Sequence, residues 1–162
     1  MYEKVLLALD GSELSASAVP HALAVAKPTG AEVVLLQVVD SIGHIVSQYT
    51  PAGFEPTPGG VTADIAGEAV DAQRKAAERH LGEVKQRLEA DGIERVSVEI
   101  VEGIPASVIA DRVAELDCDL VVMATHGRSG LGRVVLGSVA DYVVRNTPHA
   151  AVLLVRPDQP AG

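Results

Sequence analysis

Residues 4–39 read KVLLALDGSELSASAVPHALAVAKPTGAEVVLLQVV. Lys4 to Leu9 and Glu32 to Val39 are short aliphatic runs, nearly continuous rather than alternating, which is the pattern of parallel strands covered on both faces. Between them Leu14, Ala18, Ala22 and Val25 recur at helical spacing, with Ser12 placed to cap the start and Pro28-Thr29-Gly30 to stop the helix. Pro20 falls inside that helix and is expected to kink it, because proline lacks the N–H and crowds the carbonyl one turn earlier. The unit is strand-helix-strand, and its crossover should be right-handed.

Beyond Val39 the chain from Asp40 to Gly60 carries Pro51, Pro56, Pro58, Gly53 and the Gly59-Gly60 pair without periodicity, which predicts a long connection. From about Ala66 a stripe of Ala69, Val70, Gln73, Ala77, Leu81, Val84 and Leu88 predicts the longest helix, ending at Gly92. Val96 to Val101 reads as a third strand, partly alternating and therefore an edge candidate. Pro105 suits the first turn of a helix running to about Leu116. Leu120 to Ala124 is a fourth strand, Ser138 to Asn146 a short helix, and Ala151 to Val155 a fifth strand. This alternation implies an α/β fold, an open doubly wound parallel sheet with helices on both faces.

The chain has 162 residues, enough for one domain with a sizeable core. Hydrophobic residues make up 48% and charged residues 22%, which excludes disorder for most of it. Aromatics are only 2%, so Val, Leu, Ile and Ala must fill the core, and base stacking on aromatic platforms is disfavoured. Thirteen Lys and Arg against 22 Asp and Glu give a formal charge of −9, a field that repels phosphate backbones and anionic membranes. Neither a nucleic acid nor a membrane is expected as a partner. The lone cysteine, Cys118, excludes an intramolecular disulfide framework and a cysteine-based zinc site, and reads as a small buried hydrophobe. The first apolar run stops at Asp10, too short for a signal peptide or a membrane span, so a cytoplasmic protein is the simplest expectation.

In open parallel sheets ligands bind beyond the carboxyl ends of the strands, where the strand order reverses. The residues at those ends are Asp10-Gly11-Ser12, Asp40, Gly103, and the segment from Thr125 to Gly132. That last segment holds three glycines and two small hydroxyl residues, and Gly137-Ser138 follows at the mouth of a helix. Glycines admit close backbone approach, and free N–H groups at a helix N-terminus form an anion site, which Ser138 can cap or extend with its hydroxyl. A phosphate cradle from Gly127 to Ser138 is the chemistry this pattern favours; Arg128 and Arg133 add positive charge there. It is neither a Walker A loop nor a dinucleotide fingerprint. His126 lacks a Ser or Asp partner at a readable spacing, and His21, His44, His80 and His149 lack metal-ligand spacing, so surface or structural roles are expected of them.

Several stretches together resemble the universal stress protein family: Lys4 to Ser12, the Val38-Val39-Asp40 strand end, Gly103-Ile104-Pro105, and Met123 to Gly130 with Leu136 to Ala140. The likeness spans Tyr2 to Pro157 in order. ATP-binding members carry a glycine, two residues, a glycine, nine residues, then glycine and Ser or Thr; here these positions hold Ala124, Gly127 and Gly137-Ser138. The resemblance implies a Rossmann-like, adenine nucleotide alpha hydrolase-like sheet of order 3-2-1-4-5. It implies one domain over residues 1–157, with 158–162 a frayed tail, and a homodimer paired through the last strand, Ala151 to Val155. It also implies ATP as ligand, with Mg2+ accompanying it. Ala8, Asp10 and Val38 would lie by the adenine and ribose, with Asp10 also near the metal ion. Met123 and Ala124 would line the nucleoside side, and Gly127, Arg128, Gly137, Ser138 and Val139 the triphosphate. The expected role is a nucleotide-responsive regulatory module in the stress response, with catalysis slow or absent. Two alternatives stay open: a nucleotide-independent dimeric interaction protein of the same fold, favoured by Ala124, and a slow ATPase or self-phosphorylating enzyme using a Ser or Thr between Thr125 and Ser138.

Overall fold

The computed structural model describes residues 1–49, 63–125 and 137–156. Along the chain come β1 (Lys4–Leu9), α1 (Glu13–Ala16), α2 (Val19–Thr29), β2 (Glu32–Val39), α3 (Ile42–Tyr49) and α4 (Ala63–Ala90). They are followed by β3 (Val96–Glu102), α5 (Pro105–Glu115), β4 (Leu120–Ala124), α6 (Ser138–Asn146) and β5 (Ala151–Val155). The strands form one five-stranded sheet in the order β3-β2-β1-β4-β5, and every pairing is parallel. β3 is an edge strand, as its partial alternation predicts.

Both faces of β1 are buried, which is why its sequence does not alternate. Val5, Leu7 and Leu9 join Val33 and Leu35 of β2 in a core closed by Ala22 and Ala26 of α2 and Leu81 and Leu88 of α4. Leu6 and Ala8 face the other way, with Val34, Leu36, Val121 and Met123, under Ile109 and Val113 of α5 and Ala140 and Val143 of α6. Each fully buried Leu or Val contributes roughly 1.5–3 kcal/mol of transfer free energy, so the two aliphatic layers dominate the fold's stability.

At the amino ends of the strands, Asp119 ties the sheet together. Its carboxylate accepts from the N–H of Glu3 at 2.7 Å and of Lys4 at 3.2 Å. Its own N–H donates to Lys4 O at 3.1 Å, and its carbonyl accepts from Ala151 N–H at 2.9 Å. The starts of β1, β4 and β5 therefore share one residue.

Two expectations are corrected. The segment between β1 and β2 is not one kinked helix but two helices, and Pro20 stands in the first turn of α2. There its missing N–H would have had no partner anyway, so the chain restarts its helix at the proline instead of bending through it. The stretch from Asp40 to Gly60 is not all connection, because residues 42–49 form α3. Ile45 packs with Ala66 and Val70 of α4, and Val46 and Ala69 adjoin them, in a small satellite core. Residues 50–62 lie outside the described residues, as does the tail 158–162. Among the described residues no helix is long and apolar enough to cross a membrane.

Cys118 is 5% exposed, just ahead of β4. Burial pushes its thiol up from the ordinary 9.0 to about 11, against the opposing pull of Lys4. Two pH units correspond to about a hundredfold less thiolate at neutral pH. A thiol-reactive chromogenic disulfide at pH 8 should therefore label the native protein at least about a hundredfold more slowly than the urea-unfolded chain. Equal rates would contradict the burial of this thiol. The linked stability runs the same way: the neutral thiol favours the folded state below pH 9, and this contribution is lost as pH rises through 11.

Candidate functional site

Because all strands are parallel, their carboxyl ends open on one edge of the sheet. A cavity of about 450 Å³ lies there, between the ends of β1, β2 and β3 and the flank of α4. Asp10 and Gly11 follow β1, Gln37 and Val38 lie at the end of β2 with Asp40 just beyond it, Gln73 and His80 belong to the flank of α4, and Gly103 and Pro105 lie at the turn from β3 into α5.

The two aspartates are held by different devices. Asp10 Oδ1 accepts from Ser12 N–H at 2.8 Å and from the Ser12 hydroxyl. Ser12 in turn caps α1, its Oγ accepting from Ser15 N–H at 3.1 Å, as expected of this residue. The carboxylate thus shapes the turn out of β1 while lining the cavity. Asp40 is locked to α4 by a reciprocal pair: its N–H donates to Gln73 Oε1 and its Oδ2 accepts from Gln73 Nε2, both at 3.0 Å. His44 of α3 stands 3.7 Å from Asp40 Oδ1. Two buried polar atoms in this wall, Gln37 Oε1 and His80 Nε2, have no hydrogen-bond partner.

Across the strand-order reversal, between β1 and β4, Ala8 and Met123 are direct register partners. Both are buried. Ala124 pairs with Val155 in the regular ladder of β4 and β5. Asp117 is the one non-glycine residue of positive φ among those described, so the backbone at Ala124 has no need of glycine. α6 begins at Ser138 with Gly137 as its N-cap, and no side chain caps it. The expected capping role of Ser138 is corrected: it is the first helical residue, and its side chain is exposed. Gly137 has φ −60 and ψ 155, open to any residue, and a Cβ built there meets no described atom nearer than Thr125 Oγ1 at 3.9 Å. The described fold does not require glycine at this position.

The sites expected from sequence fall into two groups. Asp10 and Val38 line the cavity. Ala8, Met123, Ala124, Gly137, Ser138 and Val139 are not among its described lining residues, and gather instead where β1, β4 and α6 meet. Val139 packs partly buried against the core under α6. His126, Gly127, Arg128 and Arg133 lie outside the described residues. Gln37, Gln73 and His80 were not expected at a site. Gln37 carried a readable signal, the lone polar residue inside an aliphatic strand; Gln73 sat in the helical stripe as though it were core, and His80 was expected at the surface or in a structural role.

The family model described as the universal stress protein family matches residues 1–156. Universal stress protein MJ0531 of Methanocaldococcus jannaschii is 34% identical over 157 residues, covering 96% of this chain and 83% of its own. The solved universal stress protein UspA from Lactobacillus plantarum superposes with a TM-score of 0.75 at 26% identity, covering 96% of this chain and 98% of its own. A universal stress protein family protein from Arabidopsis thaliana, solved with AMP bound, has the same fold with a TM-score of 0.65 at 16% identity, over 98% of this chain and 96% of its own.

Two glycines should respond oppositely to alanine. Gly103 has φ +148, and a Cβ there would stand 2.8 Å from Val108 Cγ2. Gly103→Ala should cost about 1–3 kcal/mol, read as a fall in Tm of several degrees. Gly137→Ala should leave the ligand-free Tm within about two degrees. Calorimetric melting of both variants checks the contrast.

Proposed function

Since the chain belongs to the universal stress protein family, we propose that it is a nucleotide-responsive regulatory module that binds ATP, accompanied by Mg2+, at the carboxyl edge of its sheet. The observation that carries this reading is the start of α6: an uncapped helix N-terminus at Gly137-Ser138, beside the end of β4. There the unpaired N–H groups and the helix dipole favour an anion. Nine residues separate Gly137 from Gly127, the spacing on which the ATP-binding resemblance rests. Ala8, Asp10, Val38, Met123 and Ala124 take the nucleoside side in this reading, and Gly127, Arg128, Gly137, Ser138 and Val139 the phosphates. A protein of the same fold holds AMP in the Arabidopsis structure, so this architecture accommodates an adenine nucleotide.

The acidity of the chain, −9 overall, opposes a polyphosphate. Mg2+ relieves part of that repulsion, and it needs few protein ligands because phosphates and water complete its octahedron. Asp10 is the residue that would touch such an ion in this reading. Phosphoryl transfer needs a positioned acceptor as well as charge neutralisation, and binding without rapid turnover is the activity this site supports best. We place the protein in the cytoplasm and its dimer contact along β5, an edge strand whose Val152, Leu153 and Leu154 are half-buried.

Calorimetric titration of nucleotide-stripped protein with ATP and Mg2+ should give micromolar binding at about one site per chain. The double variant Gly127→Val, Ser138→Ala should lose at least about tenfold in affinity while keeping its circular dichroism spectrum. Unchanged affinity in that variant would refute the site, and no binding by the wild type would leave the nucleotide-independent interaction protein as the better reading. Sedimentation equilibrium should return a two-chain mass; a single-chain mass at about 50 μM would refute the β5 contact.

A further inference from the structure

β2 carries one polar residue inside its aliphatic run, Gln37. Its register partner on β1 is Leu9, which packs in the core under α2 and α4, so Gln37 points to that same face of the sheet. Its amide reaches the turn after β1, with Nε2 3.4 Å from the Cβ position at Gly11. On the facing helix, Gln73 and His80 stand one turn to either side of the buried Ala77. Three half-buried polar side chains thus replace aliphatic ones where α4 meets the open end of the sheet. Gln37 Oε1 and His80 Nε2 are shielded from water and have no hydrogen-bond partner. Such atoms are unfavourable and few in native proteins, and a chain breaks its own core pattern chiefly where function requires it.

These three residues line the cavity of about 450 Å³. One water takes up about 30 Å³, so the space has the size of a ligand pocket and not of a niche for a structural water. Asp10 and Asp40 border it with carboxylates, and no Lys or Arg is among its described lining residues. Acceptors and negative charge therefore dominate the wall, and its complement is a molecule that donates hydrogens and carries positive charge. That is the opposite of the chemistry at the start of α6. The two positions also lie on opposite faces of the sheet, since Ala8, Val38 and Met123 turn toward α5 and α6.

We infer that the α4 face of the cavity is a second binding site, for a small organic cation rich in N–H donors, of the guanidinium or primary-amine class. Asp10 and Asp40 supply the opposite charge, and Gln37 Oε1 and His80 Nε2 supply acceptors, the imidazole nitrogen accepting when its ring proton is on Nδ1. A nucleotide placed as proposed above meets this site only at the rim, at Asp10 and Val38, so the inference does not rest on that reading.

The test titrates isotope-labelled protein with agmatine and with putrescine, using butanediol as the uncharged control, and follows the NMR signals of the Gln37 and Gln73 side-chain amides. At least one of the two cations should shift both signals and saturate with a millimolar or tighter Kd, and the diol should not. The variant Gln37→Leu, His80→Leu keeps the net charge, so attraction to the acidic surface is unaltered, yet it should bind the cation at least about tenfold more weakly. Its ligand-free Tm should equal or exceed that of wild type, because the two atoms it removes have no partner. Ala76→Leu, at an exposed helical position bordering the cavity, should fold normally and show the same loss by filling the mouth. Both variants should bind ATP and Mg2+ within about threefold of wild type. Amide signals unmoved by either cation, or wild-type cation affinity in both variants, overturns the inference. A tenfold loss of ATP affinity in either variant also overturns it, since the cavity would then belong to the nucleotide, and a wild type that binds the cation but no ATP refutes the nucleotide reading alone.

Discussion

Burial of β1 on both faces is the constraint from which the rest of the architecture follows. Val5, Leu6 and Leu7 are fully buried, so this strand needs a neighbour on each edge and a helical layer on each face. Parallel pairing on both edges then forces helical crossovers, and the crossovers bring every strand's carboxyl end to one edge of the sheet. With almost no aromatic residues available, the layers close through aliphatic contacts. Ala18, Ala22 and Ala26 let α2 lie against the sheet, where bulkier side chains would hold it off.

The open edge of the sheet is asymmetric in its polarity. Asp10 and Asp40 lie on the side of β1 and β2, while the N-terminus of α6, which no side chain caps, lies beyond β4. In the proposed nucleotide-binding reading, a ligand with hydroxyl or amine hydrogens at one end and negative charge at the other would be oriented by this asymmetry. Asp10 is also committed to its own turn through Ser12, which fixes the orientation of its carboxylate.

Local pattern carried the strands, since a buried parallel strand must be a short aliphatic run with a polar residue at its exit. It failed at Pro20, because one proline reads alike as a kink within a helix and as the first turn of a new one. It also failed at α3, where Ile42, Ile45 and Val46 keep helical spacing but stand beside Gly43 and a proline-rich stretch. Strand order was not legible in the residues and came from family resemblance. At the site, the clustering of glycine and hydroxyl residues from Thr125 to Ser138 was visible in the sequence, and most of that segment lies outside the described residues. The α4 wall was not legible: Gln73 meets Asp40 from 33 positions away, and only the folded chain brings them together.

The tie at Asp119 has a consequence for how the molecule is made. Val5 lies beside Leu120 in the sheet, and the residue that holds their strands in register follows Glu3 by 116 positions. During synthesis β1 meets β2 early, but its other edge stays bare until β4 leaves the ribosome. For most of translation the nascent chain therefore exposes an apolar strand edge of the kind that chaperones shield and that pairs wrongly with other chains. The pairing that completes the centre of the sheet joins residues far apart in sequence, which makes it a slow step of folding.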